Sequence, residues 1–313
     1  MEHLLFSFQT ILPVTLIMLL GFCLRKKGLI TDDFISIATT LVFYYALPAN
    51  LFLNVCDVDF LAIVNGRFIV FMVVTTFAIF FAIWFLARLI TNEGRQVAAI
   101  VHGGFRGNFA YVGLAVIQNI LPDLELTAPL LIIAFVIPLY NVLAVFILSY
   151  YSGQGRPGIG ALLKGIFTNP LILGILAGIL VSLLHIPVIA PIHKTLNYLG
   201  SMATPLALIF IGANLRLDAL SKQKRLVFAT TFFKLVLFPL IFTGLAVWLR
   251  FGVEAIVTIF VTLSVPAATN TYVMAKKMNG DAELAAGIVA STTVFSILTI
   301  PLGLTLLMTL GVL

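Results

Sequence analysis

Residues 106–112 read Arg106-Gly107-Asn108-Phe109-Ala110-Tyr111-Val112, and residues 267–273 read Ala267-Ala268-Thr269-Asn270-Thr271-Tyr272-Val273. Both stretches lie inside long apolar blocks. Glycine weakens a helix there, and Pro266, just before the second stretch, removes a backbone donor. Asn and Thr side chains can bond the backbone groups so freed. In lipid such an interruption is tolerated only where protein or a cavity surrounds it. Two interrupted helices in matching positions of two halves point to a transporter's binding site. The competing explanation, for either stretch alone, is that small residues merely allow close helix packing.

The blocks around these stretches define the class. Of 313 residues, 61% are apolar and 10% charged, against roughly 25% charged in soluble domains. Ten blocks, at 5–24, 32–54, 67–88, 96–120, 128–150, 165–184, 193–214, 226–249, 254–276 and 283–311, are each near the ~20 residues that span a bilayer as a helix. They are too long and continuous for barrel strands, so the expected fold is an all-α membrane protein of ten transmembrane helices. The first block ends in Arg25-Lys26-Lys27 and has Glu2 in place of a basic leader. It reads as a span and not as a cleavable signal.

Lys and Arg set the orientation. Thirteen of the 18 fall in one set of connectors, at 25–27, 88, 95, 156, 164, 216, 222, 224, 225, 276 and 277. Arg67, Lys194 and Arg250 fall in the other. By the positive-inside rule both termini face outside. The Gly-rich stretch 151–164 divides the chain into a five-helix half (1–150) and a second (165–313). An odd number of spans per half gives the halves opposite orientation. Pro48 in span 2 and Pro205 in span 7 add a second matched pair.

Within this frame few residues can carry chemistry. Arg106 is the most informative, since an Arg at the centre of a span costs about 2.5–3.5 kcal/mol to insert and needs a cavity or a partner. The alternative is that its head reaches back to the inner interface. Lys234 reads as another snorkelling chain or as a bond to a carbonyl of a broken helix. Asn141 and Asn50 could reach the crossing or serve as helix–helix hydrogen bonds. All 12 Asp and Glu fall in connectors or span ends, which disfavours cation exchange through a mid-membrane carboxylate. Asp32-Asp33 after Thr31 is better read as a capped helix start. Cys23, Cys56 and four His show no metal spacing, and no enzyme motif is present, so neither cofactor nor metal is expected. The basic residues sit between apolar blocks and do not form a nucleic-acid face.

The chain resembles the auxin efflux carrier family, in its bacterial branch often described as malate or malonate permease-like. The resemblance runs through Tyr45-Ala46-Leu47-Pro48-Ala49, Arg106 to Gly113, Gly212-Ala213-Asn214-Leu215, Phe233-Lys234-Leu235 with Pro239, and Pro266 to Asn270. It implies a five-plus-five inverted repeat, with helices 4 and 9 crossing as broken helices near the substrate, and an elevator movement of a transport domain against a scaffold. Plant members have proline at both crossings; here glycines 103, 104 and 107 stand in for the first. The short connector 151–164 lacks their long central loop, so auxin itself is not implied.

The expected function is a plasma-membrane permease for small organic anions such as carboxylates. The expected substrate-binding residues are Arg106, Gly107, Asn108, Tyr111, Asn141, Pro266, Thr269, Asn270 and Thr271. The partners are the anion and the bilayer, with a homodimer an open option. A channel or a substrate-sensing receptor is the alternative, and a membrane enzyme a weaker one.

Overall fold

A computed structural model describes residues 13, 16–56, 65–113, 116, 117, 120, 127–153, 160, 164, 167–213 and 217–312. These are almost wholly helical. Helix α1 covers 16–26. Helix α2 is a continuous run through Asp32–Leu41, a π-helical turn Val42–Ala46 and Leu47–Cys56. Then come α3 (Gly66–Ile90) and α4 (Gly94–Phe105). Helix α5 joins Thr127–Leu131, the π-helical turn Ile132–Val136 and Ile137–Tyr150. It is followed by α6 (Pro170–Leu183), α7 (Ala190–Ser201) and α8 (Ala203–Ala213). Helix α9 joins Leu217–Phe232, the π-helical turn Phe233–Leu237 and Phe238–Trp248. The chain closes with α10 (Val253–Ser264), α11 (Asn270–Lys277) and α12 (Ala282–Thr309).

Five helical stretches among the described residues are long and apolar enough to cross a bilayer: Asp32–Leu53, Gly66–Ile90, Ile132–Tyr150, Gln223–Trp248 and Ala282–Thr309. Their faces suit lipid. Along α3 the exposed side chains Val70, Val74, Phe77, Phe81, Phe85 and Leu89 form one stripe, spaced three or four residues apart as one helical face requires. In water such a stripe would be left unburied at ~25 cal/mol per Å². In a bilayer it meets its own kind.

The helix starts obey local chemistry. Thr31 accepts from Phe34 N at 3.2 Å, which bears out the capped start at Asp32-Asp33. Asn65, Asn169 and Asp281 cap α3, α6 and α12 in the same way.

Three prolines are accommodated without ending a helix. Pro48, Pro138 and Pro239 sit within continuous helices, each two residues past a π-helical turn. In all three the residue before the proline donates five residues back: Leu47 to Val42, Ile137 to Ile132, and Phe238 to Phe233. A proline ring clashes with the carbonyl four residues back and has no N–H to offer it. Widening the preceding turn removes the clash without ending the helix.

Glycines decide which helices touch. Gly21 of α1 abuts the Ile209 carbonyl of α8, and Gly212 of α8 abuts the Met18 carbonyl of α1. Gly174 and Gly178 of α6, spaced as in a small-xxx-small motif, would place an added Cβ 2.7 Å from the Pro48 and Phe52 carbonyls of α2. Gly200 of α7 lies on Asn50 of α2, where an added Cβ would stand 3.1 Å from the Asn50 backbone. Elsewhere, Gly103 of α4 meets Ile288 of α12, Gly104 meets Ile83 of α3, and Gly303 of α12 meets Phe260 of α10. Since Met202 alone separates α7 from α8, these contacts join α1, α2, α6, α7 and α8 into one group, and α3, α4, α10 and α12 into another.

Candidate functional site at the helix crossing

Helix α4 stops at Phe105, and α10 stops at Ser264. Beyond each stop the backbone is extended: Arg106 has φ −101 and ψ 128, and Val265 has φ −63 and ψ 151. The two extended segments pair. Gly107 and Ala267 form an antiparallel bridge, and Asn108 N donates to Pro266 O at 2.8 Å. Each chain then resumes helical form, through the π-helical turn Phe109–Gly113 on one side and α11 on the other. The backbone groups released by two broken helices are thus partly spent on each other, as a buried break requires.

Glycine and proline act here for separate reasons. Pro266 has no N–H for the Thr262 carbonyl, which favours the stop of α10 at Ser264. At Gly107 a Cβ would stand 2.7 Å from Val265 Cγ2 and 2.9 Å from the Thr262 carbonyl, so only glycine lets the segments close. Gly103 and Gly104 do not break the span, contrary to expectation. Both lie inside α4, where a Cβ would come within 2.8 Å of Ile288 and 2.7 Å of Ile83, respectively. Helical hydrogen bonding there outweighs glycine's small intrinsic penalty, and the missing side chains are used for packing.

Arg106 is 5% exposed. Its Nη1 donates to Asn141 Oδ1 at 2.9 Å and lies 3.9 Å from Met274 Sδ. Asn141, fully buried, turns its amide to the Ile137 carbonyl at 2.8 Å. That amide bond fixes the orientation of Asn141 and aims its oxygen at the guanidinium. The head of Arg106 is therefore held inside the protein and not carried to the surface. Among the described residues no carboxylate pairs with it, and no Asp or Glu is buried.

The start of α11 supplies the other half of the site. Thr269 caps the helix by backbone position alone, with no side-chain bond to its first turn. Asn270 is 8% exposed, and its Oδ1 has no partner among the described residues; nor does the Oγ1 of the fully buried Thr271. Thr271 N is taken by Ala268 O at 3.0 Å, and the positive end of the helix dipole at such a start favours anions. One turn along the same helix, Met274 touches Arg106. The structure thus brings Arg106, Gly107, Asn108 and Asn141 together with Pro266 and the helix that begins Asn270-Thr271. The side chain of Tyr111 lies outside the described residues.

Three contributors escaped the sequence reading of the site. His102, one turn before Arg106, is fully buried with neither ring nitrogen bonded among the described residues. Its spacing of four from Arg106 was a usable signal, because such residues share a helix face. Met274 and Thr292 carried none. Thr292 of α12 accepts from Ala267 N at 3.0 Å and so holds the second extended segment from outside. Of the two readings of Lys234, a snorkelling chain or a bond to a broken-helix carbonyl, the structure has the bond, to Leu263 O at 3.0 Å.

Comparison with known proteins agrees with this architecture. The family described as "Membrane transport protein" matches residues 6–155 and 159–304. A Rhizobium meliloti protein named "Putative malonate transporter" is 27% identical over 83% of this chain and 83% of its own length. An uncharacterized transporter of Methanocaldococcus jannaschii is 26% identical over 94% of this chain and 96% of its own. Another, from Escherichia coli K12, is 23% identical over 90% and 93%. The family match runs through both helix breaks and nearly the whole chain, so the chain belongs to the membrane transport protein family, the auxin efflux carrier-like transporters.

Proposed function

We propose that the protein is a secondary carrier for small organic anions, with a carboxylate bound at the crossing. The observation that carries this reading is the pairing of two helix breaks at Gly107 and Ala267 beside a buried Arg106 that lacks a carboxylate partner among the described residues. Broken helices aim N-terminal N–H groups at an anion. A guanidinium, with its flat fork of donors, matches a carboxylate in two places at once. Asn141 already takes one Nη1 donor, which turns the remaining donors toward the substrate. Asn108, Tyr111, Thr269, Asn270 and Thr271 complete the binding set around Gly107 and Pro266. The relative named for malonate supports a carboxylate, and a short dicarboxylate is the first substrate to try.

The carrier has ten membrane helices in two inverted halves, 1–150 and 165–313, with both termini outside the cell membrane. Gly21 packs span 1 on span 7, while Gly174 and Gly178 pack span 6 on span 2. Exchanging the halves turns the first contact into the second, which supports the repeat. An elevator fits the two helix groups: α1, α2, α6, α7 and α8 stay as scaffold while the helices around the crossing move with the substrate.

Uptake of labelled malonate into proteoliposomes tests the site. Arg106→Lys keeps the charge but loses the fork, and its uptake is expected to fall severalfold. Arg106→Gln should fall further, since charge-assisted hydrogen bonds are roughly twice as strong as neutral ones. Uptake by Arg106→Lys equal to wild type would remove Arg106 from the site and leave the anion to the helix N-termini.

A further inference from the structure

Lys234 raises a question that carboxylate binding does not answer. Its side chain is 2% exposed, at the middle of α9, yet no anion faces it among the described residues. Its one described hydrogen bond runs to the carbonyl of Leu263, in the last turn of α10. That carbonyl is free for a specific reason. In an unbroken helix Ala267 N would bond it, but Ala267 N donates instead to Thr292. The neighbouring Thr262 carbonyl has no helical partner either, because Pro266 has no N–H. The ammonium also lies 3.2 Å from where a Gly107 side chain would begin. It therefore sits where the end of α10 and the extended segment after α4 meet.

Both α4 and α10 end at this point, so both present carbonyl oxygens and the negative ends of their dipoles. Carbonyls released by a broken helix are ligands for a small hard cation, and carriers place coupling sodium at such ends. Here the position holds a positive charge that is part of the chain. We propose that Lys234 is a tethered cation in the place of a coupling metal ion, so that this carrier works without sodium and removal of the ammonium opens a sodium site at the crossing. The functional consequence rests on the carrier reading above, but the test contains no carboxylate, so the two fail separately.

The purified full chain is unfolded by heat in sodium chloride and in choline chloride of equal strength. Wild type is expected to melt at one temperature in both. Lys234→Gln removes the charge and keeps an amide donor one bond short of the ammonium's reach, which leaves room for an ion beside the Leu263 carbonyl. It is expected to melt several degrees lower in choline and to regain a substantial part of the loss in sodium. Lys234→Arg, which keeps a cation, should respond to neither salt. A rise of the wild-type midpoint specific to sodium would overturn the proposal. So would a Lys234→Gln midpoint equal to wild type in choline, or one that sodium leaves unchanged. If Lys234→Gln cannot be purified in choline, recovery in sodium supports the tethered cation, and failure in both salts overturns it.

Discussion

The two helix groups are held together by opposite means. In the group of α1, α2, α6, α7 and α8, glycines bring backbone onto backbone: Gly21 on Ile209, Gly212 on Met18, Gly174 on Pro48 and Gly178 on Phe52. Among the described residues its buried polar side chains are few, chiefly Thr39 and the helix cap Asn169. In the group around the crossing, Gly103, Gly104 and Gly303 meet side chains instead, while Gly107 at the crossing itself closes on the Thr262 carbonyl. That interior holds His102, Arg106, Asn108, Asn141, Lys234, Thr269, Asn270, Thr271 and a series of Ser and Thr. Backbone-to-backbone contact leaves nothing that can rotate aside, so the first group can only stay as built. The second interior is polar and incompletely satisfied, which is costly unless something uses it.

The contrast can be broken by placing equal insults in each group. Gly212→Leu should have the largest effect, because the new side chain meets the Met18 carbonyl and α1 must leave α8. Overpacking commonly costs about 1–3 kcal/mol, and more where only backbone can yield. Loss of folded protein in fluorescence-detected size exclusion is the expected result; a variant with wild-type yield and melting point would show that this group is not welded.

Asn141→Ala sharpens the other side. It strips the Arg106 Nη1 of its acceptor, at a cost of ~1–3 kcal/mol for a buried group left unpaired. Thermal stability should drop, and malonate should restore part of it by binding the loosened guanidinium. A stability equal to wild type would mean that Arg106 is held by something other than Asn141.

The smallest stability effect belongs to Asn270→Ala. Its Oδ1 has no described partner to lose, so stability should stay within ~0.5 kcal/mol of wild type. Affinity for the carboxylate should fall markedly, measured as the ligand-induced shift in melting point. A large loss of stability with unchanged affinity would make Asn270 a structural residue of the crossing.

Much of the frame was legible in the chain. The blocks at 32–54, 67–88 and 283–311 meet helices Asp32–Cys56, Gly66–Ile90 and Ala282–Thr309 within a few residues. Apolar length alone determines this in a bilayer, because every backbone group must find its partner within the segment. The break after Ser264 was legible too, through Pro266, and so was the cap at Thr31. Both are consequences of groups a few residues apart. The π-helical turns before Pro48, Pro138 and Pro239 were not legible as such. A proline in a long apolar block can end, kink or widen a helix, and the surrounding contacts choose among these.

The site divides along the same line. Composition determined by itself that the chain crosses a bilayer, and the paired polar stretches pointed to spans 4 and 9 for its chemistry. Only the tertiary structure decided that Gly103 and Gly104 are packing residues while Gly107 is a crossing residue, because the difference lies in what each would strike: Ile288, Ile83, or the Thr262 carbonyl. It alone turned Arg106 onto Asn141, 35 residues away in the chain. It alone released the Leu263 carbonyl to Lys234 by drawing Ala267 N to Thr292, 25 residues further on. A sequence displays propensities over a helical turn or two; which of two acceptors a buried N–H takes is settled by whatever distant segment the fold lays beside it.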